Sequence, residues 1–169
     1  GDFTTANDFR RVALIRDPKS AGAAVSTPTL RATKAVRLNS GAGTFQSDEI
    51  ITQTNTGAVG KVVQFDTANN LLFYTQTRYN DEGVDATGNG TAFSGVNVIT
   101  GSTSSATGTP SSTSSETVTL AGGNTITFTS GYANPELQPD SGNIIYIENR
   151  KPIQRVSDQT EDVKIIIEF

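Results

Sequence analysis

Acidic residues are the side chains of this chain best suited to chemistry, because the sequence contains no Cys and no His. Without those residue types it cannot supply a thiolate nucleophile, a His-activated serine or a structural zinc site. Asp81, Glu82 and Asp85 lie in a glycine-rich stretch and could collect Ca²⁺ through their oxygens. Their spacing differs from that of a calcium loop, so a solvated acidic turn is the favoured interpretation and a weak calcium site the alternative.

Two further enzyme patterns are incomplete. Gly57–Val62 (GAVGKV) resembles the end of a phosphate-binding loop, but that pattern requires Gly at position 55 and Ser or Thr at 62, where the chain has Asn55 and Val62. Paired carboxylates could hydrolyse glycosides, yet the chain has no Trp and few aromatic residues on which sugars could stack. We therefore expect no catalytic residues, no cofactor, no metal and no enzymatic activity.

The composition favours strands over helices. The 169 residues, enough for one domain or one domain with a small insertion, include 15 Ser and 25 Thr. Residues 1–40 carry a net charge of +4 and residues 41–149 a net charge of −8. Because the whole chain is acidic and poor in aromatics, we expect a solvated or protein-facing basic segment rather than a nucleic-acid site. No apolar run approaches the length of a membrane span.

Short β-branched or aromatic runs recur between Gly, Asn, Pro and Asp, and no segment sustains a helical period. We expect a mainly β protein: an antiparallel sandwich or barrel-like unit with an inserted small β module. The predicted strands are 12–15, 35–38, 49–53, 61–65, 71–79, 96–100, 117–120, 125–128, 144–148 and 163–169.

Two features qualify this pattern. Residues 45–54 (FQSDEIITQT) resemble residues 93–102 (FSGVNVITGS) at a spacing of 48, which indicates either two similar β units or a chance likeness between strand-plus-turn sequences. Residues 101–115 hold seven Ser and four Thr, too little apolar surface to offset the entropy of ordering. That stretch is predicted to be a mobile surface loop.

The C-terminal segment SGNIIYIENRKPIQRVSDQTEDVKIIIEF, residues 141–169, is the most informative part of the chain. Apolar residues on both faces of Ile144–Ile147 favour a central strand. The segment closely resembles the C-terminal end of a baseplate wedge protein of T-even-type contractile-tailed phages, the gene product eight family. A second likeness to that family covers Asp8–Pro18 (DFRRVALIRDP). The positions that carry the resemblance are Phe9, Arg10, Pro18, Tyr146, Glu148, Asn149, Arg150, Pro152, Asp158, Gln159, Thr160, Glu161 and Phe169.

The resemblance implies a non-enzymatic structural role in a phage tail baseplate, with other wedge proteins as partners and a homodimer in the full-length form. It implies a protein of the virion, assembled in the host cytoplasm. From the charge and hydropathy of the chain we expect no contact with nucleic acid or membrane. The family's two blocks flank the middle of this chain. We therefore expect residues 1–40 and 131–169 to form a wedge-protein-like β core, and residues 41–130 to be the inserted module.

The alternative function is a carbohydrate- or surface-binding β module of a tail or fibre protein. Exposed aromatic side chains on one face, such as Tyr74, Tyr79 and Tyr132, would favour it. A hydrolase built on two facing carboxylates is the least favoured hypothesis.

Overall fold

The computed structural model describes residues 12–25, 30–76, 83–88, 90–139 and 141–148, and in these ranges the chain forms thirteen strands and no helix. The prediction of a mainly β protein is confirmed. The strands are β1 (Val12–Arg16), β2 (Lys19–Ser20), β3 (Ala23–Ala24), β4 (Lys34–Ala42), β5 (Ile50–Gln53), β6 (Val59–Asp66), β7 (Leu71–Thr75), β8 (Ile99–Gly101), β9 (Thr107–Pro110), β10 (Glu116–Thr119), β11 (Thr125–Phe128), β12 (Tyr132–Ala133) and β13 (Asn143–Glu148).

The chain divides into two compact units. One contains Gly1–Pro18 and Gly142–Phe169, and the other is the continuous segment Lys19–Ser141. The two ends of the continuous unit lie side by side, because the Lys19 amide donates a hydrogen bond of 2.9 Å to Ser141 Oγ and the Gln138 amide donates to the Lys19 carbonyl. A unit whose ends meet in this way can be inserted into another fold without stretching it.

Six strands of the continuous unit close into an antiparallel barrel. Their order is β4-β7-β6-β5-β8-β9, and β9 pairs back with β4. Three consecutive strands, β5, β6 and β7, are followed by β8, which returns to lie beside β5, so the connection is a Greek key. Closure pairs the strand edges that an open sheet would leave free.

The barrel contains two copies of one hairpin. Ile51 pairs with Gly60 across β5–β6, and Ile99 pairs with Gly108 across β8–β9, 48 residues later. Thr52 and Thr100, equivalent positions in the two copies, lie opposite each other where β5 meets β8. The resemblance at a spacing of 48 therefore corresponds to a local two-fold relation between neighbouring hairpins, and chance does not account for it.

Apolar side chains from both hairpins fill the barrel. Equivalent pairs are buried together, as shown by Phe45 and Phe93 and by Ala58 and Ala106. Ring pairs pack edge-on inside the cluster, Tyr74 with Phe93 at 4.8 Å and Phe45 with Phe65 at 5.3 Å between ring centroids. The buried members are Val36, Leu38, Phe45, Ile51, Ala58, Val62, Leu72, Tyr74, Phe93, Ile99 and Ala106.

A second cluster lies on the outside of β4 and β7. The β10–β11 hairpin alternates exposed threonines with apolar residues, and its buried Ile126 and Phe128 pack on Ala35 and Leu71. Because Ala35 and Val36 are adjacent in β4 and both fully buried, this strand is covered on its two faces. The hairpin is thus part of the barrel unit.

The boundaries between the two units lie at 18/19 and 141/142. β4 pairs with β7 and β9 inside the barrel. Within the Ser- and Thr-rich stretch 101–115, Thr107–Pro110 form β9, and Ala106 and Pro110 are buried. Small residues make this possible, since Gly108 lets the backbone lie against Leu38.

Candidate functional site

β1 and β13 form a two-stranded ribbon with an unusual surface, because its large side chains are mostly apolar. The strands are antiparallel, with Ala13 opposite Ile147 and Leu14 opposite Tyr146. A bulge follows, because Ile15 pairs with Ile144 and the register skips Ile145. The bulge increases the local twist and changes the direction of the strand.

Large apolar side chains of this ribbon are solvent-exposed. More than half of the surface of each is accessible, and the values lie between 52% and 60%. Adjacent positions in a strand point to opposite faces, so both faces of the ribbon are apolar. The six side chains are Leu14, Ile15, Ile144, Ile145, Tyr146 and Ile147. We call this set the apolar ribbon.

An isolated two-stranded ribbon is marginally stable in water, and a large contiguous exposed apolar surface commonly marks a site that contacts a protein, a membrane or a ligand. The sequence predicted that Ile144–Ile147 would be a central strand buried on both faces. In the described part of the chain β13 has one neighbouring strand, β1, and the side chains of Ile144–Ile147 are exposed. The apolar pattern that predicted burial therefore occurs on side chains that are exposed in the described structure.

The residues that carry the family resemblance are only partly described. Pro18 is half-buried and lies two residues beyond the end of β1, after Asp17, which has a positive φ of 52°. Tyr146 belongs to the apolar ribbon, and Glu148 ends β13 opposite Val12. The structure therefore brings Tyr146 and Glu148 together with β1. The other ten lie outside the described residues: Phe9, Arg10, Asn149, Arg150, Pro152, Asp158, Gln159, Thr160, Glu161 and Phe169.

Glu49, the most buried carboxylate among the described residues, has a structural role. Its two oxygens accept hydrogen bonds from the amides of Gln46, Thr103 and Ser104 and from the Ser104 hydroxyl, at 2.7–3.0 Å. Burial raises the pKa of Glu49, but these hydrogen bonds outweigh it and hold the pKa below its ordinary value. A carboxylate with this set of donors fastens two loops and is poorly suited to act as a base.

Other acidic side chains stabilise turns by accepting hydrogen bonds within them. Asp66 Oδ1 accepts the amides of Ala68 and Asn69, while Asp85 Oδ1 accepts the Thr87 amide and hydroxyl. Asp81 and Glu82 lie outside the described residues. Among the residues that the structure does describe, no group of three or more Asp, Glu, His or Cys could hold a metal ion. No helix long and apolar enough to cross a membrane occurs there either.

Of the three tyrosines that would favour a sugar- or surface-binding face, the structure describes Tyr74 and Tyr132, and neither presents an open aromatic face. Tyr74 is 3% exposed within the barrel, and burial raises its pKa. Tyr132 is half-buried, and its hydroxyl donates to the Gly95 carbonyl at 2.7 Å and accepts from Gln53 Nε2. Tyr79 lies outside the described residues.

The barrel and the apolar ribbon define a class: an all-β protein that exposes an apolar ribbon in its described part. Within that class, a family model described as Phage-Gp8, Bacteriophage T4, Gp8 matches residues 114–169. No curated protein and no solved structure matches the chain. The matched third of the chain contains β10 to β13 and includes residues 141–169, whose motifs resembled the same family, a T4 baseplate wedge protein. The second resembling block, Asp8–Pro18, lies outside the match. The match suggests a structural component of a phage tail baseplate, with other baseplate proteins as partners.

Proposed function

We propose that this protein is a structural component of a tail baseplate wedge and acts through protein–protein contacts during virion assembly. The observation that carries the proposal is the coincidence of two findings in β13. This strand lies in the segment matched by the baseplate family, and it provides four of the six side chains of the apolar ribbon. Exposed apolar surfaces are common on subunits that bind one another, because association buries those surfaces.

The energetics support such a role. Burying an exposed Ile, Leu or Tyr side chain contributes about 1.5–3 kcal/mol. The six side chains of the apolar ribbon are each more than half exposed, so covering them favours association strongly. Part of that free energy is offset by the lost freedom of the partners, as in every interface.

The proposal extends to partners and location. The family likeness supports contacts with other wedge proteins, a homodimer of the full-length protein, a position in the tail baseplate of the virion and assembly in the host cytoplasm. We also propose that the protein has no enzymatic activity and binds neither nucleic acid nor membranes. The described structure is consistent with a non-enzymatic role, since its best-buried carboxylate is committed to loop hydrogen bonds.

Immunogold electron microscopy tests the location. Antibodies raised against Lys19–Ser141 should label the baseplate end of intact tailed particles produced in cells that carry the gene. Antibodies against the major capsid protein provide the reference label on the head. Particles that lack the protein altogether, or that carry it on the head or the fibre tips, would contradict the proposal.

A further inference from the structure

A small cleft on the barrel has the properties of a binding site that the assembly role does not explain. It has a volume of about 370 Å³ and lies where the β6–β7 turn meets β4. This volume is at the lower end of the range for small-molecule sites. Leu38 and Phe65 provide its apolar surface. The lining residues with polar side chains are Ser40, Thr44, Thr67, Asn70 and Thr107.

The polar groups of the cleft are available to a ligand. Within the described chain, the hydroxyls of Thr44, Thr67 and Thr107 and the side-chain amide of Asn70 bond to no other protein group. Each of the three threonine hydroxyls can donate and accept a hydrogen bond. The Asn70 amide donates from its nitrogen and accepts at its oxygen. None of the residues lining the cleft is charged; the neighbouring Asp66 carboxylate is engaged by hydrogen bonds within the β6–β7 turn.

The walls of the cleft are held in place before any ligand binds. Asp66 fixes the turn by accepting the amides of Ala68 and Asn69 and the Asn69 side-chain amide. The Leu38 amide donates to the Asn70 carbonyl at 2.9 Å, which ties the turn to β4. Phe65 is supported from behind by the edge-on ring of Phe45. Pre-organised groups of this kind reduce the entropic cost of binding.

We propose that this cleft binds a neutral sugar of monosaccharide size. The apolar floor with one aromatic ring suits the C–H face of a pyranose, and the hydroxyls and the Asn70 amide suit its hydroxyl groups. An anionic ligand would find no cation among the lining residues, and a purely apolar ligand would make no hydrogen bonds to their polar side chains. The site differs from the tyrosine face considered from the sequence, since it uses Phe65 and the β6–β7 turn.

Titration of the whole ¹⁵N-labelled chain with glucose, galactose and N-acetylglucosamine, followed by NMR, tests the proposal. At least one sugar should shift the amide signals of Leu38, Phe65 and Asn70 saturably, with a dissociation constant in the millimolar range. Glucuronate, which carries a negative charge, should bind at least fivefold more weakly than the sugar that binds best. No saturable shift with any of the three neutral sugars overturns the proposal, as do shifts scattered over the surface.

Two variants at exposed positions locate the binding. Thr67→Val removes a hydroxyl while preserving shape, and Asn70→Asp replaces the amide donor while tolerating the positive φ of 50°. Each should weaken the binding at least fivefold. The matched control Asn124→Asp makes the same charge change in the exposed β10–β11 turn and should bind as the unmodified chain does. Equal affinity in Thr67→Val and Asn70→Asp overturns the assignment to this cleft.

Discussion

At the scale of single residues, Glu49 joins the two hairpins of the barrel. It precedes β5 in the first copy, and its carboxylate accepts hydrogen bonds from Thr103 and Ser104 in the turn of the second copy. Asn97, its equivalent 48 residues later, accepts a hydrogen bond from the Asn55 side chain in the first copy's turn. The two-fold relation thus extends to these side chains, although only Glu49 is charged.

Replacing Glu49 with Gln tests this role. The variant keeps the size of the side chain but removes the charge and one acceptor, so a buried amide of Thr103 or Ser104 loses its charged partner. Hydrogen bonds to charged groups contribute about 1.5–3 kcal/mol, and we expect the free energy of unfolding in urea to fall by about that amount. Asp17→Asn, at an exposed Arg16–Asp17 ion pair, is the control and should have little effect. Equal stability of both variants would show that the Glu49 carboxylate is dispensable.

The same carboxylate predicts a pH dependence. The pKa of folded Glu49 lies below its ordinary value of 4.5, so the unfolded chain binds a proton at higher pH than the folded chain. Its contribution to stability is complete above pH 4.5 and disappears as the pH falls through the lowered pKa. Urea unfolding at pH 7 and at about pH 3 should therefore show a smaller loss for Glu49→Gln than for the unmodified chain. A parallel loss in both proteins would contradict the assignment.

At Gly41 the backbone of β4 lies close against the backbone of β9. A Cβ atom there would overlap the carbonyl oxygen of Thr107, a backbone atom that cannot rotate away. We expect Gly41→Ala to lower stability by about 1–3 kcal/mol in thermal or urea unfolding, because closely packed backbones must separate. Gly122→Ala, where nothing lies within 4 Å, is the matched control and should be near neutral. If Gly41→Ala is as stable as the control, the closure of the barrel at β4–β9 is looser than described.

At the scale of elements, the β10–β11 hairpin binds the barrel through one face. Phe128 is fully buried against Ala35 and Leu71, whereas its neighbour Thr127 is exposed. Phe128→Ala should reduce the free energy of unfolding by about 3–5 kcal/mol, and Thr127→Ala by less than about 0.5 kcal/mol. Chemical denaturation followed by circular dichroism measures both. A small effect of Phe128→Ala would mean that the hairpin is not anchored by this side chain.

Much of the strand pattern could be predicted from the sequence, because β-branched runs with turn residues at their ends leave few alternatives. The runs at 35–38, 61–65 and 125–128 all lie in observed strands. β9 could not be found, since its Thr-Gly-Thr-Pro sequence has the composition of a loop. It is ordered by long-range pairing with β4 and β8, a contribution that local propensity does not contain.

The candidate surface was harder to predict than the fold. Apolar residues on both faces of Ile144–Ile147 are typical of a strand buried within its own domain. The same pattern occurs in a strand that becomes buried against another protein, and a single sequence does not distinguish the two cases. The pairing of β13 with β1, more than a hundred residues away, could likewise be inferred only from the family likeness of both segments.

At the scale of the whole molecule, the match to the baseplate family begins at residue 114, before the β10–β11 hairpin. The hairpin nevertheless packs on the barrel, so the family-like segment and the preceding strands share one core. We infer that Lys19–Ser141 is a self-contained unit, since its ends lie together and it holds both apolar clusters. Residues 41–130 were expected to be the inserted module. Replacing only these residues with a linker would remove five of the six barrel strands.

A fragment of residues 19–141 should consequently fold alone. We expect a cooperative thermal transition and dispersed amide signals in NMR, as for a small two-state domain. A chain in which residues 41–130 are replaced by a Gly/Ser linker should lose the barrel's signals entirely. An unfolded 19–141 fragment would show that the barrel depends on the remaining residues.

The central claim is that the apolar ribbon mediates assembly, and incorporation of a ribbon variant into tails tests it most directly. Ile145→Asp and Thr127→Asp introduce the same charge, the first on the apolar ribbon and the second on the exposed face of the β10–β11 hairpin. Each is expressed from a plasmid during infection by a phage that lacks the gene, and purified particles are assayed for the protein and for complete baseplates. We predict that Thr127→Asp restores baseplates as the unmodified protein does, whereas Ile145→Asp stays outside the particles although its barrel melts normally. Normal incorporation of Ile145→Asp would contradict the account.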